Sequence, residues 1–268
     1  MINMDLKNST VLITGGTSGI GLELVKQLTE QGATIIVTGR KAQALSDTKK
    51  RFPNVHTFQS DVRDPEQIRQ LYKDVTRQFP DLNILVNNAG EMRLIDMQDP
   101  TESLENITRE IDINLSGAIQ MAHQFLPHLV KKQSAAIVNV SSAIAFMAYS
   151  SAPVYSASKA GFHAFTQALR LQLKGSGVRV MELIPPGVHT NLQDGWVLQP
   201  NPRLLMEVDK LVKVAVKGLL NDTQEIKPAF VKVLKFLSRI IPGALMNYGH
   251  KEFDKFKQLN NSSKMLYQ

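Results

Sequence analysis

The sequence predicts an α/β fold, a doubly wound parallel sheet with helices on both faces, on three observations. Short β-branched apolar runs alternate with longer amphipathic stretches, which is the pattern of βαβ units. A glycine-rich turn joins the first such run to the first helical stretch. The 268 residues, 43% apolar and 21% charged, suffice for one sizeable core without metal or disulfide.

Each element follows from its pattern. Residues 10–14 (TVLIT) read as a strand, and residues 20–31 as a helix with Leu22, Val25 and Leu28 on its apolar side. Residues 33–38 (ATIIVT) form a second strand, residues 42–51 a polar helix, and residues 55–59 a short strand. Residues 65–78 open with a proline and repeat Ile68, Leu71 and Val75 at helical spacing. Residues 84–86 are a buried strand. Two long helices are predicted within residues 101–132, with Gly117 inside the pattern. A strand at 136–140 (AIVNV), a helix at 153–174 and a strand at 179–184 complete the alternation. Right-handed crossovers place helices on both faces. Ligands of such sheets bind beyond the carboxyl ends of the strands. Chemistry is therefore expected in the loops after Thr14, Thr38, Gln59, Val86, Val140 and Ile184.

Composition excludes several classes. The absence of cysteine rules out disulfides, thiolate metal sites and a cysteine nucleophile, and suits a reducing, cytoplasmic setting. The first apolar run, residues 11–13, is too short for a signal peptide, and no stretch is apolar enough to span a membrane. The six histidines show no metal-ligand spacing, so no metal is expected. His189 alone stands out as a possible substrate contact. The net charge of +7 favours anionic partners. Nucleic acid is not expected, because no basic stripe interleaves with aromatics.

The turn itself runs Gly15, Gly16, Thr17, Ser18, Gly19, Ile20, Gly21. Glycines let a phosphate approach the backbone, and the following helix N-terminus offers free N–H groups. The spacing G-x3-G-x-G is neither that of larger dinucleotide-binding domains nor that of a P-loop. It resembles the short-chain dehydrogenase/reductase family. Asn87, Asn88, Ala89 and Gly90 end a strand as in that family. Ser142, Tyr155-x3-Lys159 and Asn114 resemble its catalytic set, and Pro186, Gly187, Val188 and Thr190 its nicotinamide-side loop. These motifs cover residues 9–191 in the family's order. The resemblance implies a Rossmann-type sheet of about seven strands and a nicotinamide cofactor.

The cofactor expected is NADP(H). The family position that holds a ribose-binding carboxylate in NAD-selective proteins is Gly39 here, and Arg40 follows. A guanidinium suits a 2′-phosphate; the competing reading makes Arg40 a solvated surface charge. Asp61 and Val62 resemble the pair that contacts adenine, although Asp61 also suits a turn or helix cap before Pro65.

Tyr155 and Lys159 are four apart on a predicted helix and so share a face. A free phenol titrates near ~10. A neighbouring ammonium is expected to lower that value and make Tyr155 a proton exchanger. The resemblance then implies that Tyr155 protonates a carbonyl oxygen during reduction. Ser142 hydrogen-bonds that oxygen, Lys159 binds ribose hydroxyls, and Asn114 holds a water. Ser142 is preferred over Ser141 on its spacing to Tyr155.

The segment after Thr190, with Trp196, is expected to form a lid, and the stretches near residues 92–97 and 143–151 a partly apolar pocket. The last strand is placed at residues 225–229. A helix is expected over residues 230–259, with Phe230, Val233, Leu234, Leu237, Ile240 and Ile241 at helical spacing. Between residues 225 and 268 there are eight lysines and arginines against three acids. This tail resembles bacterial DltE-type oxidoreductases. It is expected to form an extension, residues 230–268, packed on a catalytic unit of residues 1–229. Contact of its basic face with a membrane surface is the less favoured alternative. A homo-oligomer through the long helices is expected from the resemblance. The competing functions are a cofactor-binding regulator and a membrane-associated adaptor on the same fold.

Overall fold

A computed structural model describes residues 4–265, with side chains through residue 260. Residues 1–3 and 266–268, at the two ends of the expected division, and the side chain of Lys264 lie outside the described residues.

Seven parallel strands form one sheet: β1 (Thr10–Thr14), β2 (Thr34–Gly39), β3 (His56–Gln59), β4 (Leu82–Asn87), β5 (Ala135–Val140), β6 (Val178–Leu183) and β7 (Glu225–Ile226). Their spatial order is β3-β2-β1-β4-β5-β6-β7, so the direction of winding reverses between β1 and β4. Among the described residues, ten α-helical segments accompany them. On one face lie α1 (Gly19–Glu30), α2 (Ala42–Arg51) and, from later in the chain, a helix at Val208–Leu220. On the other lie α3 (Pro65–Gln78), a composite of α4 (Leu104–Ile107), α5 (Arg109–Ile111) and α6 (Ala118–Leu129), and α7 (Pro153–Gln172). The helix at Val208–Leu220 is α8, and α9 (Ala229–Ile240) and α10 (Pro242–Met265) close the chain.

Alternation along the strands builds the two core layers. Val11, Ile13, Ile35 and Val37 pack with Leu24, Val25 and Leu28 of α1 and with Leu211 and Val212 of α8. Leu12, Ile36, Leu85 and Ile137 pack with Ile68, Leu71 and Val75 of α3 and with Met121 and Phe125 of α6. Local chemistry sets the helix starts. Asp64 caps α3 by accepting from the N–H groups of Glu66 (2.9 Å) and Gln67 (3.3 Å), and Pro65 and Pro153 open α3 and α7.

Three expectations need correction. The two long helices within residues 101–132 are instead short turns and one helix broken by a π-helical turn, Asp112–Gly117. The last strand ends at Ile226, because Lys227 leads into Pro228, which cannot donate to a ladder. The helix expected over residues 230–259 is two helices, since Ile241 leaves the helical region immediately before Pro242. The sequence reading also passed over α8, whose Leu211, Val212, Ala215, Val216 and Leu219 are all buried. Among the described residues no helix is long and apolar enough to cross a membrane.

Candidate active site

The loops after β1 and β4 meet at the reversal of strand order. The Asn88 amide donates to the carbonyls of Thr14 (2.9 Å) and Gly15 (3.1 Å), and the Thr14 hydroxyl accepts from the N–H groups of Asn88 and Ala89, each at 3.0 Å. Space here is limiting. A Cβ on Gly15, whose φ is +65°, would lie 2.9 Å from the Cα of Ala89. A Cβ on Gly21 would lie 2.3 Å from the Gly15 carbonyl oxygen. Ser18, the N-cap of α1, makes no side-chain cap hydrogen bond, and the first turn carries no acid. The helix therefore presents N–H groups and a positive dipole end that its own side chains leave unanswered.

The remaining turn and rim residues lie around this point. Ile20 is half-buried against the core. A Cβ on Gly19 would touch Thr190 at 3.3 Å, so the loop after β6 folds back over the turn. In that loop Pro186 and Val188 are buried and Gly187 is exposed. The Gly187 carbonyl accepts from Met206 N–H (2.9 Å), tying the two ends of the intervening segment. Thr17 sits over Gly39, with its methyl 3.3 Å from where a Cβ would be. Arg40 is exposed on the same rim, and its carbonyl accepts from the Gln59 amide (2.9 Å). Val62 is buried. Asp61 is gripped by Arg63 at 2.7 Å and accepts from its N–H at 3.0 Å. Burial pushes the Asp61 carboxyl up, but hydrogen bonds and charge from Arg63, with Arg40 behind, hold it below the usual range. The helix cap is Asp64, so Asp61 closes the preceding turn.

Asn114, Ser142, Tyr155 and Lys159 come together at the carboxyl ends of β4 and β5. Tyr155 is 6% and Lys159 4% exposed. The Ser142 hydroxyl lies beside the Tyr155 phenol and accepts from Ile144 N–H (3.3 Å), whereas Ser141 turns to the Leu183 carbonyl (3.5 Å). The Lys159 ammonium lies 5.7 Å from the Tyr155 ring centre and donates to the Val140 carbonyl (2.9 Å). Asn114, on the π turn, accepts from Glu91 N–H (2.8 Å) and donates to the Glu91 carbonyl (2.9 Å) and the Ser158 hydroxyl (3.0 Å). Gly90 closes this group: a Cβ there would be 3.3 Å from Asn114 Oδ1 and 3.7 Å from Lys159 Nζ.

The electrostatics differ from expectation. Burial pushes the Tyr155 phenol up to about 12, with the neighbouring Ser142 hydroxyl pulling the other way, and Glu110 pushes it further up. Lys159 does not bring it below its ordinary value, because the ammonium is desolvated too and is aimed at Val140. Burial lowers Lys159 to about 8, with Glu182 pulling it up.

Beside Tyr155 is an apolar wall of Met92, Leu94, Ile144, Tyr149, Ala152, Leu192 and Trp196. The Trp196 indole N–H donates to the Met92 carbonyl (3.3 Å) and anchors the segment after Thr190 across it. His189 turns instead toward Glu207, at 3.7 Å. A cavity of about 400 Å³ lies at the opposite ends of β5 and β6, beside Ser134, Arg170 and Arg179. None of the residues singled out in the sequence reaches it.

Sequence reasoning missed two buried acids. Glu110 is held by Arg93 through contacts of 2.8–3.0 Å. Glu182, on β6, accepts from His163 Nδ1 at 2.9 Å on both oxygens. His163 follows Lys159 by one helical turn, which was the available signal. Glu225 brings a carboxylate near this pair, its ligand atoms within 4.8 Å of theirs, but it is already paired with Lys227 and Lys235.

Comparison with known proteins places this geometry. The chain is 40% identical over 237 residues to the "uncharacterized oxidoreductase DltE" of Bacillus subtilis, covering 88% of this chain and 94% of that protein. It is 32% identical over 191 residues to an uncharacterized oxidoreductase of Staphylococcus epidermidis, covering 71% and 82%. Among solved structures, a short chain dehydrogenase of Burkholderia cenocepacia in complex with NADP superposes with a TM-score of 0.78 at 26% identity, covering 91% and 98%. A short chain dehydrogenase/reductase of Burkholderia phymatum in complex with NAD shares the fold, with a TM-score of 0.80 at 20% identity, covering 89% and 96%. The family model described as short chain dehydrogenase matches residues 9–201, and this chain belongs to that family of oxidoreductases.

Proposed function

We propose that this protein is an NADP(H)-dependent oxidoreductase acting on a carbonyl/alcohol pair, with Tyr155 as its general acid and base. The observation that carries this reading is the buried group of Ser142, Tyr155, Lys159 and Asn114 at the carboxyl ends of β4 and β5, with an apolar wall along one side. The catalytic unit is proposed to span residues 1–229, with residues 230–268 as an extension.

The residues fit a dinucleotide. The bare Gly15–Gly21 turn and the uncapped start of α1 suit its phosphates. Asn88, Ala89, Gly90 and the loop from Pro186 to Thr190 border the nicotinamide end, and Lys159 would hold the ribose hydroxyls. Asp61 and Val62 flank the adenine side. At Gly39 there is no carboxylate to repel a 2′-phosphate, and Arg40 supplies an exposed guanidinium on the same rim. When bound, the nicotinamide supplies or accepts the hydride. Tyr155 donates its proton to the carbonyl oxygen, and Ser142 hydrogen-bonds the same oxygen. A phenol pushed up to about 12 is protonated at neutral pH, which suits a proton donor. Trp196 and Met92 exclude water on one side.

The test is a fluorescence titration with NADPH and with NADH, on the wild type and on Arg40→Ala. NADPH should bind about tenfold tighter to the wild type, roughly 1.4 kcal/mol, and Arg40→Ala should erase that margin. Tighter NADH binding would refute the 2′-phosphate reading, and binding of neither would refute the enzyme reading. Assembly through α6 and α7 is proposed as well, and light scattering at a monomer mass would overturn it.

A further inference from the structure

Among the described residues, the longest run of exposed large apolar side chains lies on α9 and the start of α10. On α9, Phe230, Val233, Phe236 and Ile240 are 53%, 57%, 61% and 58% exposed. Their spacing places them along one stripe of the helix. Ile241 at the break and Met246 on α10 are exposed as well. The helix is held from another side by a narrow seam. Val231 is fully buried and, with Leu234, packs on Ala143, Phe146 and Ile184. The stripe is thus firmly placed and faces outward. Exposed apolar surface of this extent on a folded chain marks an interaction surface.

Its charge narrows the partner. Lys232 and Arg239, seven residues apart, share the adjoining face of α9 and are exposed. Lys251 follows on α10. Among the described residues these three form no ion pair, whereas Lys235 is paired with Glu225 and Lys255 with Glu252. A two-fold contact between copies through this face would oppose Lys232 and Arg239 to themselves on a chain of net charge +7. An anionic bilayer surface answers both features. Its interfacial region takes the apolar stripe, and its headgroups take the cations.

We propose that α9 and the start of α10 dock this protein on an anionic membrane surface. The same helices adjoin the rim of the cleft. Gly249 lies against Ala148, since a Cβ there would be 2.6 Å from its carbonyl, and His250 Nδ1 is 3.0 Å from the Ser150 hydroxyl. Docking therefore sets the cleft beside the bilayer, where an apolar carbonyl or alcohol would be concentrated.

The experiment is co-sedimentation of the full chain with phosphatidylcholine vesicles, made with and without phosphatidylglycerol, at low and high salt. Two double variants accompany the wild type: Phe236→Glu with Ile240→Glu, and Lys232→Glu with Arg239→Glu. All four side chains are exposed, and circular dichroism with NADPH titration checks that fold and cofactor site persist. The wild type should sediment only with phosphatidylglycerol vesicles and be released by salt, and each double variant should lose at least tenfold in binding. No sedimentation, or equal sedimentation with neutral vesicles, overturns the proposal. So does a lipid-free loss of oligomer mass in the Phe236/Ile240 variant, which would assign the stripe to a second copy. Binding to soluble polyglutamate but not to vesicles would assign the face to an acidic protein. Because cofactor binding is read on the same samples, failure of docking is separate from failure of the enzyme reading.

Discussion

His163→Ala tests how the acid buried beneath Lys159 is held. Glu182 is fully buried, and among the described residues His163 is the side chain that hydrogen-bonds its carboxyl group, at 2.9 Å to each oxygen. A carboxylate only accepts, so Nδ1 carries the proton. The ring also meets the edge of Phe146, with centroids 5.0 Å apart. Alanine at 163 removes the donor and leaves a buried acid with no hydrogen-bond donor, facing the Glu225 carboxylate and its lysines. Breaking a buried pair in this way costs about 3–5 kcal/mol. For a chain of this size a loss of 3 kcal/mol lowers the thermal midpoint by roughly 6–12 °C. Glu182→Gln should cost less, because a neutral amide tolerates burial better. The double variant should be more stable than the sum of the single losses predicts, by about 2 kcal/mol. Urea and thermal unfolding at neutral pH measure all four proteins. A loss below about 0.5 kcal/mol in His163→Ala, or strict additivity in the double variant, would refute the reasoning. The same pair acts on the site. Glu182 opposes the lowering of Lys159, so Glu182→Gln should shift to lower pH the alkaline loss of NADPH binding expected from the proposed Lys159–ribose contact.

Three further outcomes are expected. Tyr155→Phe should reduce turnover at least about 100-fold while leaving NADPH affinity within a few-fold, because only the proton donor is removed; unchanged turnover would sink the mechanism. Gly21→Ala places a methyl 2.3 Å from the Gly15 carbonyl oxygen, where backbone must move. It should cost about 1–3 kcal/mol and abolish NADPH binding, measured by unfolding and titration. Glu225 is held at about 2, below its ordinary 4.5: burial pushes it up, but hydrogen bonds and charge from Lys227 and Lys235 prevail. Its contribution is therefore complete above 4.5 and lost as pH falls through about 2. Acid titration of stability should show this loss, and it should shrink in high salt and in Lys235→Ala.

The legible part of this protein was periodic and local. The β-branched run at residues 33–38 and the short apolar run at 84–86 signalled buried strands, and Pro65 marked the start of α3, because these signals act within a few residues. Tyr155 and Lys159 were readable as neighbours because four residues span one helical turn. The glycine turn was readable because glycine tolerates positive φ and close backbone approach. Other features had no such local cause. The π turn that carries Asn114 differs from α-helix by one hydrogen-bond step, and side-chain pattern does not record that. The break before Pro242 carried a signal that the apolar periodicity of residues 230–259 masked.

The sequence by itself thus determined the parallel α/β sheet, the place of the glycine-rich turn and the residues that meet at its carboxyl edge. Only the tertiary structure decided that Trp196 lies along the wall beside Tyr155, that His163 satisfies Glu182, and that the stripe on α9 faces solvent. It also reversed the expected direction for the Tyr155 phenol. The reason is physical: periodicity and turn chemistry are written in neighbouring residues, whereas burial, desolvation and pairing between distant strands and helices exist only once the layers have packed.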